Sequence, residues 1–312
     1  MKENSKIDQT ILLEALAASE KLLVLYHNKN KEPIYLNRLK KFLKNPHKYL
    51  RINLAKTGVI SRHGYARTFW GENLYLPLAD ENITTLYYCG ALGASECRLT
   101  RFIIKNLNPS DIFYDVGANY GFYSALTSYL IGRGTGQVHI FEPNPSATHY
   151  IKKNMNADGK KIFLNEVGVA DTEGMTVFYD TVEGGKGGMS TMLKETVLRW
   201  KLPFKEIKIK TATLDDYALA HAPPTFLKID VDGSEKKVIR GAVKMLKSAA
   251  PIIAMEVWDA NHVKADTMEA LRILQDLGYE SCRIDEKGEI QREHLDVYKN
   301  PVGEFNNFIF KK

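Results

Sequence analysis

The chain has 312 residues, 44% hydrophobic and 26% charged, the composition of a globular protein with a sizeable core, larger than one minimal domain. No apolar run approaches the roughly 18 residues of a membrane span, and the N-terminus lacks a signal-peptide pattern, so a mature cytoplasmic protein is expected. Three cysteines (Cys89, Cys97 and Cys282) without CxxC spacing argue against a disulfide framework and a zinc cluster, and the net charge of +6 is concentrated near the N-terminus, where residues 21–67 hold twelve Lys or Arg against the single acid Glu32.

This basic arm interleaves cations with apolar and aromatic residues in "YLNRLKKFLKNPHKYLRINLAK", and Pro33 and Pro46 divide it into two or three short helices. Such a stretch is either a solvated helix face or a surface for an anionic partner, with a membrane surface or an acidic glycan favoured over nucleic acid. Peripheral attachment at the inner membrane surface is therefore a further expectation. "TFWGENLYLPLA" (68–79) reads as a hairpin around Gly-Glu-Asn. We assign residues 1–80 to an N-terminal arm and hairpin, and 81–312 to a second domain.

That second domain alternates. "ECRLTRFIIKNL" has helical spacing, and "IFYDV", "QVHIFEP", "KIFLNEVGVAD", "TFLKIDVDG" and "PIIAMEVW" read as strands. Between and after them, "GFYSALTSYLIG", "PSATHYIKKNMNA", "SEKKVIRGAVKMLKSA" and "ADTMEALRILQDLG" read as helices, with "ESCRID" and "NNFIFKK" as closing strands. The alternation predicts an α/β fold with a doubly wound, mostly parallel sheet, preceded by a basic helical extension. Ligands bind such sheets where the carboxyl ends of the strands open into loops.

One of those ends carries "FYDVGANYGFYS". Its glycines are spaced GxxxG rather than GxGxxG, and Asp115 stands where a pyrophosphate would be repelled, which suits a ligand bearing an ammonium or sulfonium group. Glu142 closes the next strand, in register to accept the hydroxyls of a ribose. Adenosine joined to a cationic tail is S-adenosylmethionine. Asp230, Asp232 and Glu235 follow the fourth strand, and Glu256, Asp259 and His262 trail the fifth. From these, Asp230 is the first choice for placing donor or substrate, Asp232 a second acid on the same side, and His262 the candidate general base. Asp230, Asp232 and Glu235 could also hold a hard divalent metal through oxygen ligands. "VEGGKGGMSTML" (182–193) reads as a lid with Ser190 and Thr191 as polar contacts, or as a plain crossing. Tyr87, Tyr88, Tyr120 and Tyr123 are candidates for stacking on a sugar or adenine.

"DIFYDVGANYGFYSAL", "VHIFEPNPSATHYIKKNM", "NEVGVAD", "TLDDY" and "FLKIDVDGSEKKVIRGA", in that order, resemble the FkbM family of S-adenosylmethionine-dependent methyltransferases. The resemblance runs from about residue 84 to 310 and leaves the basic arm largely outside. It implies a class I methyltransferase (Rossmann-like) fold and O-methylation, often of a sugar hydroxyl on a glycan or secondary metabolite. On it, Glu96, Asp115, Gly117, Ala118, Asn119, Gly121, Tyr123, Glu142, Gly168 and Asp230 are the cofactor-binding candidates. Two rival readings remain at this point: a metal-dependent glycosyltransferase, with Asp-Val-Asp holding a nucleotide-sugar diphosphate through a divalent ion, and an RNA-directed methyltransferase or binding module.

Overall fold

The computed structural model describes residues 8–27, 34–80, 83–155, 159, 161–181, 189–257, 266–293 and 307–312. The chain divides into two compact units at Cys97/Arg98. The first unit contains helices α1 (Gln9–His27), α2 (Ile34–Lys44) and α3 (Pro46–Thr57), strands β1 (His63–Arg67) and β2 (Asn73–Pro77), and helix α4 (Thr84–Cys89). Pro46 occupies the first turn of α3, and the Asn45 side chain caps it by accepting from Lys48 N at 3.2 Å, so a proline that cannot sit inside a helix instead starts one. The hairpin is present, but its first strand begins earlier than the strand composition suggests. Arg67 pairs with Asn73, and the connection is Thr68–Glu72, closed by Thr68 N donating to Glu72 O at 2.8 Å. Gly71 takes a positive φ of 91° in that turn, which makes "TFWGE" the loop. Among the described residues no helix is long and apolar enough to cross a membrane.

Helix α5 (Ala94–Asn106) contains the division and leads into β3 (Ile112–Val116), α6 (Phe122–Ile131), β4 (Gln137–Phe141), α7 (Pro145–Asn154), β5 (Lys161–Asn165), β6 (Gly168–Val169) and β7 (Gly174–Asp180). There follow α8 (Lys194–Arg199), β8 (Lys205–Ala212), α9 (Leu214–Ala220), β9 (Phe226–Ile229), α10 (Glu235–Arg240) and α11 (Val243–Ala249). The chain continues through β10 (Ile252–Glu256), α12 (Asp266–Asp276), β11 (Glu280–Ile284), β12 (Ile290–Arg292) and β13 (Asn307–Lys311). An eight-stranded sheet has the order β12-β11-β13-β10-β9-β3-β4-β5. Its β10-β9-β3-β4-β5 part is parallel, while β13 runs antiparallel between β10 and β11. Strands covered on both faces read as near-continuous apolar runs, and β9 is buried at all four positions, with Lys228 as the one charged residue among Phe226, Leu227 and Ile229. The core gathers Tyr114, Phe141, Leu227 and Ile229 from the strands with Val238, Leu246 and Leu271 from the helices.

Two stretches read as single elements are broken. "KIFLNEVGVAD" divides between sheets: β5 ends the large sheet, and β6 joins a separate three-stranded sheet of order β6-β8-β7. "SEKKVIRGAVKMLKSA" divides into α10 and α11 at Gly241, where a Cβ would stand 2.0 Å from Ala170 O. Only a hydrogen fits at that crossing, so the helix gives way where the backbone after β6 passes it.

Candidate functional site

The glycine turn is pinned between two strand ends. Because β3 pairs with β4 on one side and β9 on the other, the loop after β3 lies at the switch point of the sheet. Gly117 has φ 77°, and a Cβ there would lie 1.8 Å from Asp230 O. No other residue fits, and the missing side chain lets the loop after β3 rest on the backbone after β9. Asp230 N donates to Val116 O at 3.0 Å, while Gly117 N and Ala118 N both donate to Phe141 O, at 3.0 and 3.3 Å. Asn119 (φ 51°) and Gly121 (φ 81°) complete the turn in left-handed conformations and deliver the chain into α6.

This turn forms one wall of a pocket. Gly117, Asn119, Glu142, Gly168, Ser190, Asp230 and Asp232 line it, with Val116, Phe141, Val167, Val169, Phe178 and Met192 as the apolar part. Glu142 is buried, and its two oxygens accept from Asn119 N (2.8 Å) and Asn144 N (2.9 Å). Burial pushes its carboxyl up to about 7, against the lowering effect of those two amides. Each oxygen keeps a lone pair beyond its amide bond. Asn144 also caps α7 by accepting from Ser146 N and donates Nδ2 to Asp180 Oδ1 at 2.9 Å. Asp180 in turn accepts from Ser190 Oγ at 3.4 Å, so the acid at the end of β4 is braced against the wall that carries Ser190.

Asp115 does not line the pocket. It is fully buried beneath the turn, where Oδ2 accepts from Ser124 Oγ at 2.6 Å and Oδ1 lies 3.6 Å from Lys228 Nζ. Lys228 is only 3% exposed, reaches Asp230 Oδ2 at 3.1 Å and places its ammonium 5.2 Å from the centre of the Tyr123 ring. The sulfonium partner expected for Asp115 therefore has a resident competitor, an ammonium already beside the carboxylate. Burial raises the Asp115 carboxyl above the usual range, and Lys228 and Ser124 pull it back. Sequence reading missed Lys228, although a lysine flanked by Leu227 and Ile229 in a doubly covered strand signals a buried, paired charge.

The other candidates separate. Asp232 shares the pocket with Asp230 and takes a left-handed φ of 51°. Burial, then the nearby Asp230 and Glu235 carboxylates, push Asp232 well above the usual range. Glu235 is completely buried, accepts from Gly233 N at 3.1 Å and is raised to about 7, mainly by burial. Among the described residues no three acids, histidines or cysteines converge as a metal-ligand set. Asp230, Asp232 and Glu235 do not fit that role, since Glu235 turns onto the backbone. Gly121 packs on Ile151, and Ala118 and Tyr123 are buried behind the turn. Tyr87, Tyr88 and Tyr120 are buried as well, which makes all four tyrosines packing groups rather than open stacking platforms. Glu96 lies in the first turn of α5, in the other unit. His262, Asp259 and residues 182–188 fall outside the described residues.

A parallel sheet with helices on both faces, an antiparallel strand near one edge and a pocket at its switch point is a doubly wound α/β fold of the class I methyltransferase type. The sequence pattern of the Methyltransferase FkbM domain matches residues 115–281, more than half the chain; the chain belongs to the FkbM methyltransferase family. The hexuronic acid methyltransferase AglP of Haloferax volcanii is 22% identical over 178 residues, a match spanning 56% of this chain and 66% of that protein. A Methyltransferase FkbM structure from Methylobacillus flagellatus aligns with 84% of this chain and 59% of its own, at 14% identity and a TM-score of 0.42. Fibrillarin from Aeropyrum pernix, solved with S-adenosyl-L-methionine, aligns with 70% of this chain and 76% of its own, at 14% identity and a TM-score of 0.36. The chain thus spans less than two thirds of the length of the first of these structures and about two thirds of the curated relative.

Proposed function

We propose that the protein is an S-adenosylmethionine-dependent O-methyltransferase acting on a sugar hydroxyl of a glycan or related metabolite. The observation that carries the reading is the excess of acceptors at the switch point. Glu142 keeps two free lone pairs, Asn119 Oδ1 is buried without a partner, and Asp230 and Asp232 face the same space. A site so built suits a ligand that presents donors and positive charge, such as ribose hydroxyls, an amino group and a sulfonium. Glu142 would hold the ribose, Asn119 and Asp230 the amino-acid end, and the apolar wall of Val167, Val169 and Phe178 the base. The bound cofactor supplies an electrophilic methyl group on a good leaving group.

The protein's own part is alignment and proton removal. Asp230 is held by Lys228, which fixes its direction and offsets its charge. Asp232, desolvated and crowded by like charges, is raised well above the usual carboxylate range and accepts the proton of the acceptor hydroxyl in this scheme. The hexuronic acid methyltransferase among the relatives supports a sugar acceptor. Calorimetry with S-adenosylmethionine, NAD and a nucleotide sugar tests the cofactor, and labelled methyl transfer to uronate-containing oligosaccharides tests the acceptor. Binding of NAD or of the nucleotide sugar with none of S-adenosylmethionine would overturn the proposal.

A further inference from the structure

Helix α2 is amphipathic, yet none of its described side chains (39–44) is buried. Leu39, Phe42 and Leu43 stand at i, i+3 and i+4 and are 50%, 38% and 70% exposed. On α3, Leu50 and Leu54 repeat the i, i+4 spacing at 49% and 40% exposed. The Phe42 and Tyr49 rings meet edge to face with centroids 5.8 Å apart, at the joint of the two helices. An apolar stripe of this kind normally faces a core. Here five large apolar side chains face outward, and such a patch marks an interaction surface.

The charge around it selects the occupant. Residues 39–57 contain six basic residues and no acid. Lys48 is turned inward, where Nζ donates to Tyr87 O at 2.9 Å and Tyr88 O at 3.3 Å, while Lys40, Lys44, Arg51 and Lys56 are exposed and Lys41 is half-buried. A second copy would bring two cationic faces together, and nucleic acid offers phosphates but nothing to cover leucines. An anionic lipid bilayer satisfies both features at once, with headgroups for the lysines and acyl chains for the leucines. We infer that α2 and α3 form a peripheral docking surface for an anionic membrane. The inference goes beyond the proposed reaction and does not depend on it.

The test is co-sedimentation of the full chain with vesicles of phosphatidylcholine alone or with phosphatidylglycerol, at low and high salt. The expected result is binding to the anionic vesicles that weakens with salt. The triple variant Lys40→Gln, Lys41→Gln, Lys44→Gln should lose roughly a hundredfold in partitioning, at about fivefold per lysine. Leu39→Ser with Leu43→Ser should remove the binding that persists at high salt. None of these side chains is buried, so melting temperatures should match the parent; should a variant misfold, the parent's dependence on lipid charge and salt decides alone. Equal sedimentation with neutral and anionic vesicles, or none, overturns the inference. So does a dimer in sedimentation velocity that Leu43→Ser dissociates, or RNA binding in place of vesicle binding.

Discussion

Glu142→Gln with a pH series tests the cofactor assignment most directly. In the parent, burial raises the Glu142 carboxyl to about 7, so its ionised share rises from about a tenth at pH 6 to about nine tenths at pH 8. If the ionised form receives the ribose hydroxyls, the affinity for S-adenosylmethionine should tighten about tenfold across that interval. The amide cannot ionise, and one of its two ends is a donor set against the N–H of Asn119 or Asn144. Replacing charge-assisted hydrogen bonds by weaker ones costs about 1.5 to 3 kcal/mol, which is roughly 10- to 150-fold at pH 8. Titration calorimetry at pH 6, 7 and 8 on both proteins measures this, and comparing parent with variant removes the cofactor's own amino-group titration. Equal pH slopes in the two proteins, or unchanged affinity in the variant at pH 8, would refute the assignment.

Gly117→Ala should lower stability by at least about 1 to 2 kcal/mol for its left-handed backbone alone and, by forcing Asp230 away from the turn, reduce cofactor affinity; a urea titration and calorimetry check both. Lys228→Met removes the cation beside fully buried Asp115 and should cost about 3 to 5 kcal/mol in urea unfolding. Asp232→Asn should preserve cofactor binding and abolish turnover, and full turnover would move the proton acceptor elsewhere. Glu142 and Glu235 are both raised from 4.5 to about 7, so between those values the folded state binds more protons than the unfolded one. Stability should therefore fall as pH rises from 4.5 to 7, by on the order of 3 kcal/mol per group, and melting of the cofactor-free protein at pH 5 and 8 should show the higher midpoint at pH 5.

What could be read from sequence followed from local physics. The alternation of apolar strands with helical spacing gave the parallel sheet, and a glycine after a strand ending in an acid gave the turn, because no other residue reconciles φ 77° with a neighbouring carbonyl. Breaks imposed by distant chain were invisible. Nothing near Gly241 tells that Ala170 O will pass it, and nothing in "LNEVGVA" tells that β6 will leave one sheet for another. Partners of buried charges were hidden for the same reason. Asp115 and Lys228 lie more than a hundred positions apart in sequence and meet only because β3 and β9 are neighbours in register, Asp115 opposite Lys228.

The bridge between Tyr179 and Thr191 bears on how much chain can be added after β7. Tyr179 N donates to Thr191 O at 2.8 Å, and Thr191 N returns a bond to Tyr179 O at 3.2 Å, while Thr191 Oγ1 donates to Asp232 O at 3.0 Å. Chain leaving β7 thus re-enters through a closed neck, tied on its far side to the acid-bearing loop. Whatever is added between 181 and 189 is paid in loop-closure entropy, which grows only slowly with length, and Ser190 and Met192 keep their places. Two glycines inserted there should leave the affinity for S-adenosylmethionine in calorimetry unchanged, because the ties from Thr191 to Tyr179 and to Asp232 lie outside the insertion.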